Sequence, residues 1–134
     1  MLKYFTPIDV LDKYAPHASV FKADEKLIAL AKEACTNICD DGFKFDVGMV
    51  VTGDQFIEDS SVVARLRVDY NAYCTEMEGA AVAHVCLLNK VPFVVIRAMS
   101  DNAEEGADMS FEEMSAIAAK RASFVSSYII SNLK

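Results

Sequence analysis

A chain of 134 residues, 53% of them hydrophobic and 25% charged, has room for one packed domain and does not have the composition of a disordered segment. Its net charge of −7 excludes the basic face that a phosphate backbone requires and disfavours anionic membranes, so neither nucleic acid nor membrane is expected as a partner. No apolar run approaches the ~18 residues of a membrane span, and residues 1–20 carry Lys3, Asp9, Asp12 and Lys13 without the apolar stretch of a signal peptide.

Pro7 and Pro16 make residues 1–20 an irregular lead-in. From Ala23 the pattern turns helical, with Leu27, Leu30, Ala31 and Ala34 on one face, Asp24 as the N-cap and Gly42 as the stop. The segment "FDVGMVVTG", 45–53, is β-branched and reads as a buried strand. "SSVVARLRVD", 60–69, reads as a short helix capped by Ser60 or Ser61, and "AYCTEM", 72–77, as a strand handing over to the helix "GAAVAHVCLLN", 79–89. "VPFVVIRAMS", 91–100, is the clearest buried strand, and the polar loop "DNAEEGAD" follows it. Ser110 and Glu113 have capping-box spacing and open one long helix to Leu133, with Met114, Ile117, Ala118, Phe124, Val125 and Tyr128 on its apolar side. Helices alternating with strands predict a single α/β layered domain over 1–134 with a largely parallel sheet.

The cysteines Cys35, Cys39, Cys74 and Cys86 contain no CxxC pair, which suits a reduced, cytoplasmic setting. Cys35 and Cys39 lie one helical turn apart, and His84 is close to Cys86. That pattern fits buried thiols better than the tighter paired spacing of zinc ligands. Neither a metal nor another cofactor is expected.

Three polar motifs each follow a predicted strand: "GDQFI" at 53–57, "EMEG" at 76–79 and "SDNA" at 100–103. Ligands of open α/β sheets bind outside the carboxyl ends of the strands, so the three together suggest one pocket. At a strand-to-helix junction Glu76 and Glu78 separate, because residues two apart share a face only on a strand. Arg97, placed within an apolar strand, requires an anionic partner. Glu76 paired with Arg97 as scaffold, with Glu78 facing a ligand, satisfies both conditions.

Asp101 ends a hydrophobic strand, where partial desolvation favours the protonated acid that can serve a leaving group; the plainer alternative is an Asx turn. Phe56 and Ile57 read as core or as an apolar wall beside a flat ring. His84 reads as a satisfied structural histidine, His17 has no assignable role, and "EEGAD" reads as a solvated loop able to close over a site.

"FKADEKLI", "VVTGDQFI", "EMEGAAVAHVC" and "VPFVVIRAMSDNA" resemble the C-terminal part of the 5′-methylthioadenosine/S-adenosylhomocysteine nucleosidases, within the wider nucleoside phosphorylase family. The similarity runs from about Phe21 to the C-terminus, with residues 1–20 outside it. It implies a three-layer α/β/α fold with a mostly parallel central sheet, lacking its N-terminal strands. It also implies cytoplasmic hydrolysis of an adenine–ribose bond in methionine salvage, through an oxocarbenium-like state.

Carried over by resemblance, Asp101 is the acid that serves purine N7, with Ser100 beside it. Glu78 holds the ribose hydroxyls and Met77 packs on the sugar. Phe56 and Ile57 flank adenine, Phe111 lies near the 5′-alkylthio group, and Glu76 with Arg97 supports the site. The family's N-terminal portion, with a glycine-containing loop and a water-activating glutamate, has no counterpart among the quoted motifs. The expected partners are a small nucleoside and either a second copy or a completing N-terminal fragment. The alternatives are phosphorolysis on the same fold and a catalytically incomplete purine-binding subunit.

Overall fold

The structure is a computed structural model that describes residues 20–38, 44–99 and 111–133. These fall into two compact units. The first contains residues 20–23 and 46–95; the second contains 24–38, 44–45, 96–99 and 111–133.

The second unit is built on a pair of helices, α1 (Glu25–Thr36) and α4 (Phe111–Asn132), which pack on each other. Helix α1 begins where the sequence predicts, because the Asp24 carboxylate accepts a hydrogen bond from the Leu27 N–H at 3.0 Å and satisfies one of the unpaired donors of the first turn. It ends earlier than the glycine signal suggests. The Asn37 N–H turns back to the Ala34 carbonyl and the Thr36 hydroxyl to the Glu33 carbonyl, while Gly42 lies outside the described residues.

Leu27 and Ala34 of α1 and Val125 and Ile129 of α4 are buried. Ile117 and Phe124, expected on the apolar side, are exposed, and Ile129 takes the inward position. The Tyr128 hydroxyl donates to Glu33 Oε1 at 2.6 Å, and this bond to a carboxylate holds the phenol above its ordinary pKa. Desolvation likewise raises the Cys35 thiol, which makes it a poor nucleophile.

The first unit is a β–α–β–α run: β1 (Met49–Thr52), α2 (Ser60–Tyr70), β2 (Ala72–Glu76) and α3 (Gly79–Asn89). The strands pair in parallel, with Val50 opposite Cys74, Val51 opposite Thr75 and Thr52 opposite Glu76. Parallel strands need a crossover, and α2 supplies it. Helix α2 packs on both strands and α3 on β1. Val51, Leu66 and Ala83 are the buried apolar side chains of this unit among the described residues.

The pairing shifts between Met49 and Val50, which makes Tyr73 the extra residue of a bulge. The Tyr73 ring lies over Gly48 so closely that a β-carbon there would overlap it. Helix α2 is capped by Asp59 rather than by Ser60 or Ser61: its carboxylate accepts from the Ser61 N–H at 2.8 Å, and the helix ends on Asn71 in the left-handed region, a conformation asparagine tolerates. Helix α3 closes with Lys90 left-handed and the Val91 N–H bonded to the Cys86 carbonyl at 2.9 Å, a Schellman-type end that Pro92 cannot extend.

One predicted element does not form among the described residues. Residues 91–99 form no strand, and Val91 and Met99 are exposed. Their β-branched composition favours extended backbone, but a strand exists only by pairing, and the described sheet consists of β1 and β2 alone. The Ser110 cap lies outside the described residues.

Replacing Asp24 by Ala should cost about 1 kcal/mol of stability by loss of the N-cap, read as a lower urea midpoint. The Ser61 hydrogen bond to Asp59 lowers its carboxyl pKa. That capping contribution is therefore complete above the ordinary aspartate range, about 3.9, and is lost as pH falls through the lowered folded-state value. Asp59→Asn retains a capping oxygen without titrating, so its unfolding midpoint should depend less steeply on pH on the acid side.

Candidate active site

Parallel pairing places the carboxyl ends of β1 and β2 at one sheet edge, and the Thr52–Glu76 register aligns them. "GDQFI" leaves β1 at that edge and "EMEG" leaves β2 there, as the motif reading anticipates. The Gly53 N–H donates to the Glu76 main-chain carbonyl at 3.0 Å, so the ladder holds the first residue of the "GDQFI" turn.

Glu76 and Glu78 do separate, and the partners of Glu76 explain why. Its Oε2 accepts from the Gly79 N–H at 2.6 Å and the Glu78 N–H at 3.0 Å, and its Oε1 accepts from the Thr52 hydroxyl. The Thr52 oxygen in turn accepts from the Ala80 N–H at 2.9 Å. The first N–H groups of a helix have no partner inside the helix and carry the positive end of its dipole, so a carboxylate there is favourable. Glu76 therefore caps α3 from two residues upstream of the N-cap position. Glu78 holds that position, with φ −122° and ψ −29°, yet its side chain makes no capping bond. Glu78 is exposed, while Glu76 is half-buried.

Gly79 makes the seat possible: a β-carbon there would lie 2.9 Å from Glu76 Oε1 and 3.1 Å from its carboxyl carbon. The N-terminus of α3 is consequently not a vacant anion site, because a side chain of the same chain occupies it.

Arg97, expected inside a buried strand, is exposed, and residues 91–99 form no strand. The scaffold role of Glu76 is carried by its bonds to the α3 N–H groups and to Thr52. Sequence reasoning missed Thr52, which it treated as an ordinary strand residue. Only the register that sets it opposite Glu76 reveals its role, and no local motif encodes that register.

His84 is also not a satisfied histidine. Its ring stacks on Phe21, with centroids 5.8 Å apart and planes at 26°, while Nε2 is buried with no hydrogen-bond partner among the described residues. It serves as an aromatic packing surface. Of the other expected site residues, Phe56 and Met77 are exposed, at 74% and 45%, and Ile57 is half-buried. Phe111 is the first residue of α4. Ser100 and Asp101, with the "EEGAD" stretch, lie outside the described residues.

Residues 3–131 match the sequence profile of the phosphorylase superfamily, a span that begins ahead of Phe21, where the quoted motifs start. Among solved structures, the chain is similar to the 5′-methylthioadenosine/S-adenosylhomocysteine nucleosidase of Campylobacter jejuni, with 43% identity and a TM-score of 0.66 over 81% of this chain and 46% of that one. It is also similar to the corresponding nucleosidase of Colwellia psychrerythraea, solved in complex with adenine, at 36% identity and a TM-score of 0.70 over 85% of this chain and 47% of that one. A futalosine hydrolase mutant of Helicobacter pylori matches at 27% identity and a TM-score of 0.69, over 97% of this chain and 56% of that one.

The chain thus spans about half the length of the solved relatives it matches. The breadth of the profile match establishes the family: this chain belongs to the phosphorylase superfamily and has a nucleoside phosphorylase-like fold.

Proposed function

We propose that the chain carries the base and ribose side of a nucleosidase active site, in an enzyme that hydrolyses the adenine–ribose bond of 5′-methylthioadenosine and S-adenosylhomocysteine. The observation that carries this reading is the alignment of "GDQFI" and "EMEG" at one sheet edge through the Thr52–Glu76 register, in a chain 43% identical to a nucleosidase with that substrate name.

Cleaving an N-glycosidic bond requires stabilising positive charge on the sugar and protonating the departing purine. In the proposed site the exposed carboxylate of Glu78 takes the ribose hydroxyls, and Met77 packs on the sugar. Phe56 and Ile57 flank adenine, an apolar contact that suits a flat ring. Asp101, with Ser100 beside it, gives a proton to purine N7 as the bond breaks, and Phe111 lies toward the 5′ substituent. The bonding electrons pass to the purine, and water adds to the anomeric carbon with loss of a proton, giving adenine and a 5-thio-substituted ribose.

The half-length match favours one other reading, a purine-binding subunit that is catalytically complete only with a further chain segment. The surface is consistent with such a partner, whether a second copy or an N-terminal fragment. Helix α3 is apolar almost all round, and Val82 and Val85 are more than half exposed; a helix of that kind is normally covered on both sides. Cys35 and Cys86 are free thiols, in keeping with a reducing, cytoplasmic setting.

Adenine released from 5′-methylthioadenosine, followed in buffer with and without phosphate, tests the proposal. Release in the absence of phosphate is expected, and Asp101→Asn should lower its rate by about 10²-fold or more, the usual contribution of a general acid. A requirement for phosphate would indicate phosphorolysis, and adenine binding without release would indicate the binding subunit. Glu78→Gln should weaken a ribose-bearing ligand about tenfold, the order expected for losing a charge-assisted hydrogen bond, while leaving free adenine unaffected. Equal losses for both ligands would make Glu78 structural.

A further inference from the structure

We propose that Thr52 is a positioning residue for the Met77–Glu78 edge, acting through the Glu76 carboxylate; its link to ribose binding rests on the nucleosidase reading above. The Thr52 hydroxyl proton goes to Glu76 Oε1, and its oxygen accepts the Ala80 N–H at 2.9 Å. One hydroxyl therefore ties the end of β1 to the end of β2 and to the first turn of α3.

Met77 and Glu78 are the only residues between Glu76 and Gly79. Glu76 Oε2 closes back on the N–H groups of Glu78 and Gly79, which makes the "EMEG" segment a short ring. Within that ring the main chain of Glu78 is fixed relative to the carboxylate. The Thr52 hydroxyl ties that carboxylate to β1. Removing it takes a donor from Glu76 and an acceptor from Ala80 at a half-buried position, where lost hydrogen-bond partners are costly.

The "GDQFI" turn does not depend on the same bond. Its first residue is held by the main-chain bond from the Gly53 N–H to the Glu76 carbonyl, which a side-chain substitution at position 52 leaves in place. Thr52 therefore orients the ribose edge selectively, and the adenine edge is anchored separately. The β-branched side chain suits a strand, but valine would serve that purpose equally; the hydroxyl is the part that reaches α3.

The test compares Thr52→Val, which keeps the shape without the hydroxyl, with Thr52→Ser, which keeps the hydroxyl. Each chain is titrated with adenine and with 5′-methylthioadenosine, and amide hydrogen exchange is measured along α3. Thr52→Val should weaken 5′-methylthioadenosine about tenfold, as loss of one buried hydrogen-bonded link does, and leave adenine binding unchanged. It should speed exchange at Gly79 and Ala80 but not near Leu87, and Thr52→Ser should restore both properties.

Unchanged exchange at Gly79 and Ala80 in the valine variant would overturn the proposal. So would equal losses for both ligands, or a serine variant that fails to rescue. If the unmodified chain binds neither ligand, the nucleosidase reading falls. The exchange pattern of the valine and serine variants then still decides whether Thr52 sets the edge.

Discussion

The amino end of α3 presents N–H groups that no residue within the helix can accept, and the Glu76 carboxylate accepts them from the end of β2. Much of the site geometry follows from that capping interaction. It fixes where the strand gives way to the helix and leaves Glu78 exposed two residues later. It also brings the carboxylate so close to Gly79 that an added β-carbon would press on it. Through Thr52 it fastens the helix to the neighbouring strand as well. A charge that looks misplaced in an apolar stretch thus caps a helix, and its neighbour two positions on stays exposed.

The sequence made much of this legible, for reasons that can be stated residue by residue. Asp24 announced α1 because a cap needs only local geometry, and "GAAVAHVCLLN" announced α3 to the residue. Local signals also allowed error where two candidates lay side by side. Asp59 caps α2 in place of the serines that follow it, since a carboxylate at a helix N-terminus gains from the helix dipole in addition to the hydrogen bond. Residues 91–99 show the limit most clearly. Their composition favours extended backbone, but pairing is a property of the neighbour and not of the segment.

The same limit applies to the site. Glu76 and Glu78 stand out from spacing alone, because a strand-to-helix junction separates carboxylates two positions apart. The bond from Thr52 to Glu76 does not, because it depends on which residue of β1 lies opposite, and no local motif encodes that register. His84 illustrates a different limit. Its apolar neighbours predict a structural role, but they do not show that the ring stacks on Phe21 with no hydrogen-bond partner for Nε2 among the described residues.

The central claim is that adenine and ribose are held by two adjacent turns of one sheet edge. It is tested most directly by mapping backbone amide chemical shifts of the 134-residue chain with saturating adenine and then with saturating 5′-methylthioadenosine. The account predicts perturbation around Phe56 and Ile57 with both ligands, and additional perturbation at Met77, Glu78 and Gly79 only with the nucleoside. Perturbation confined to α1 and α4, or none with either ligand in a folded chain, would contradict it.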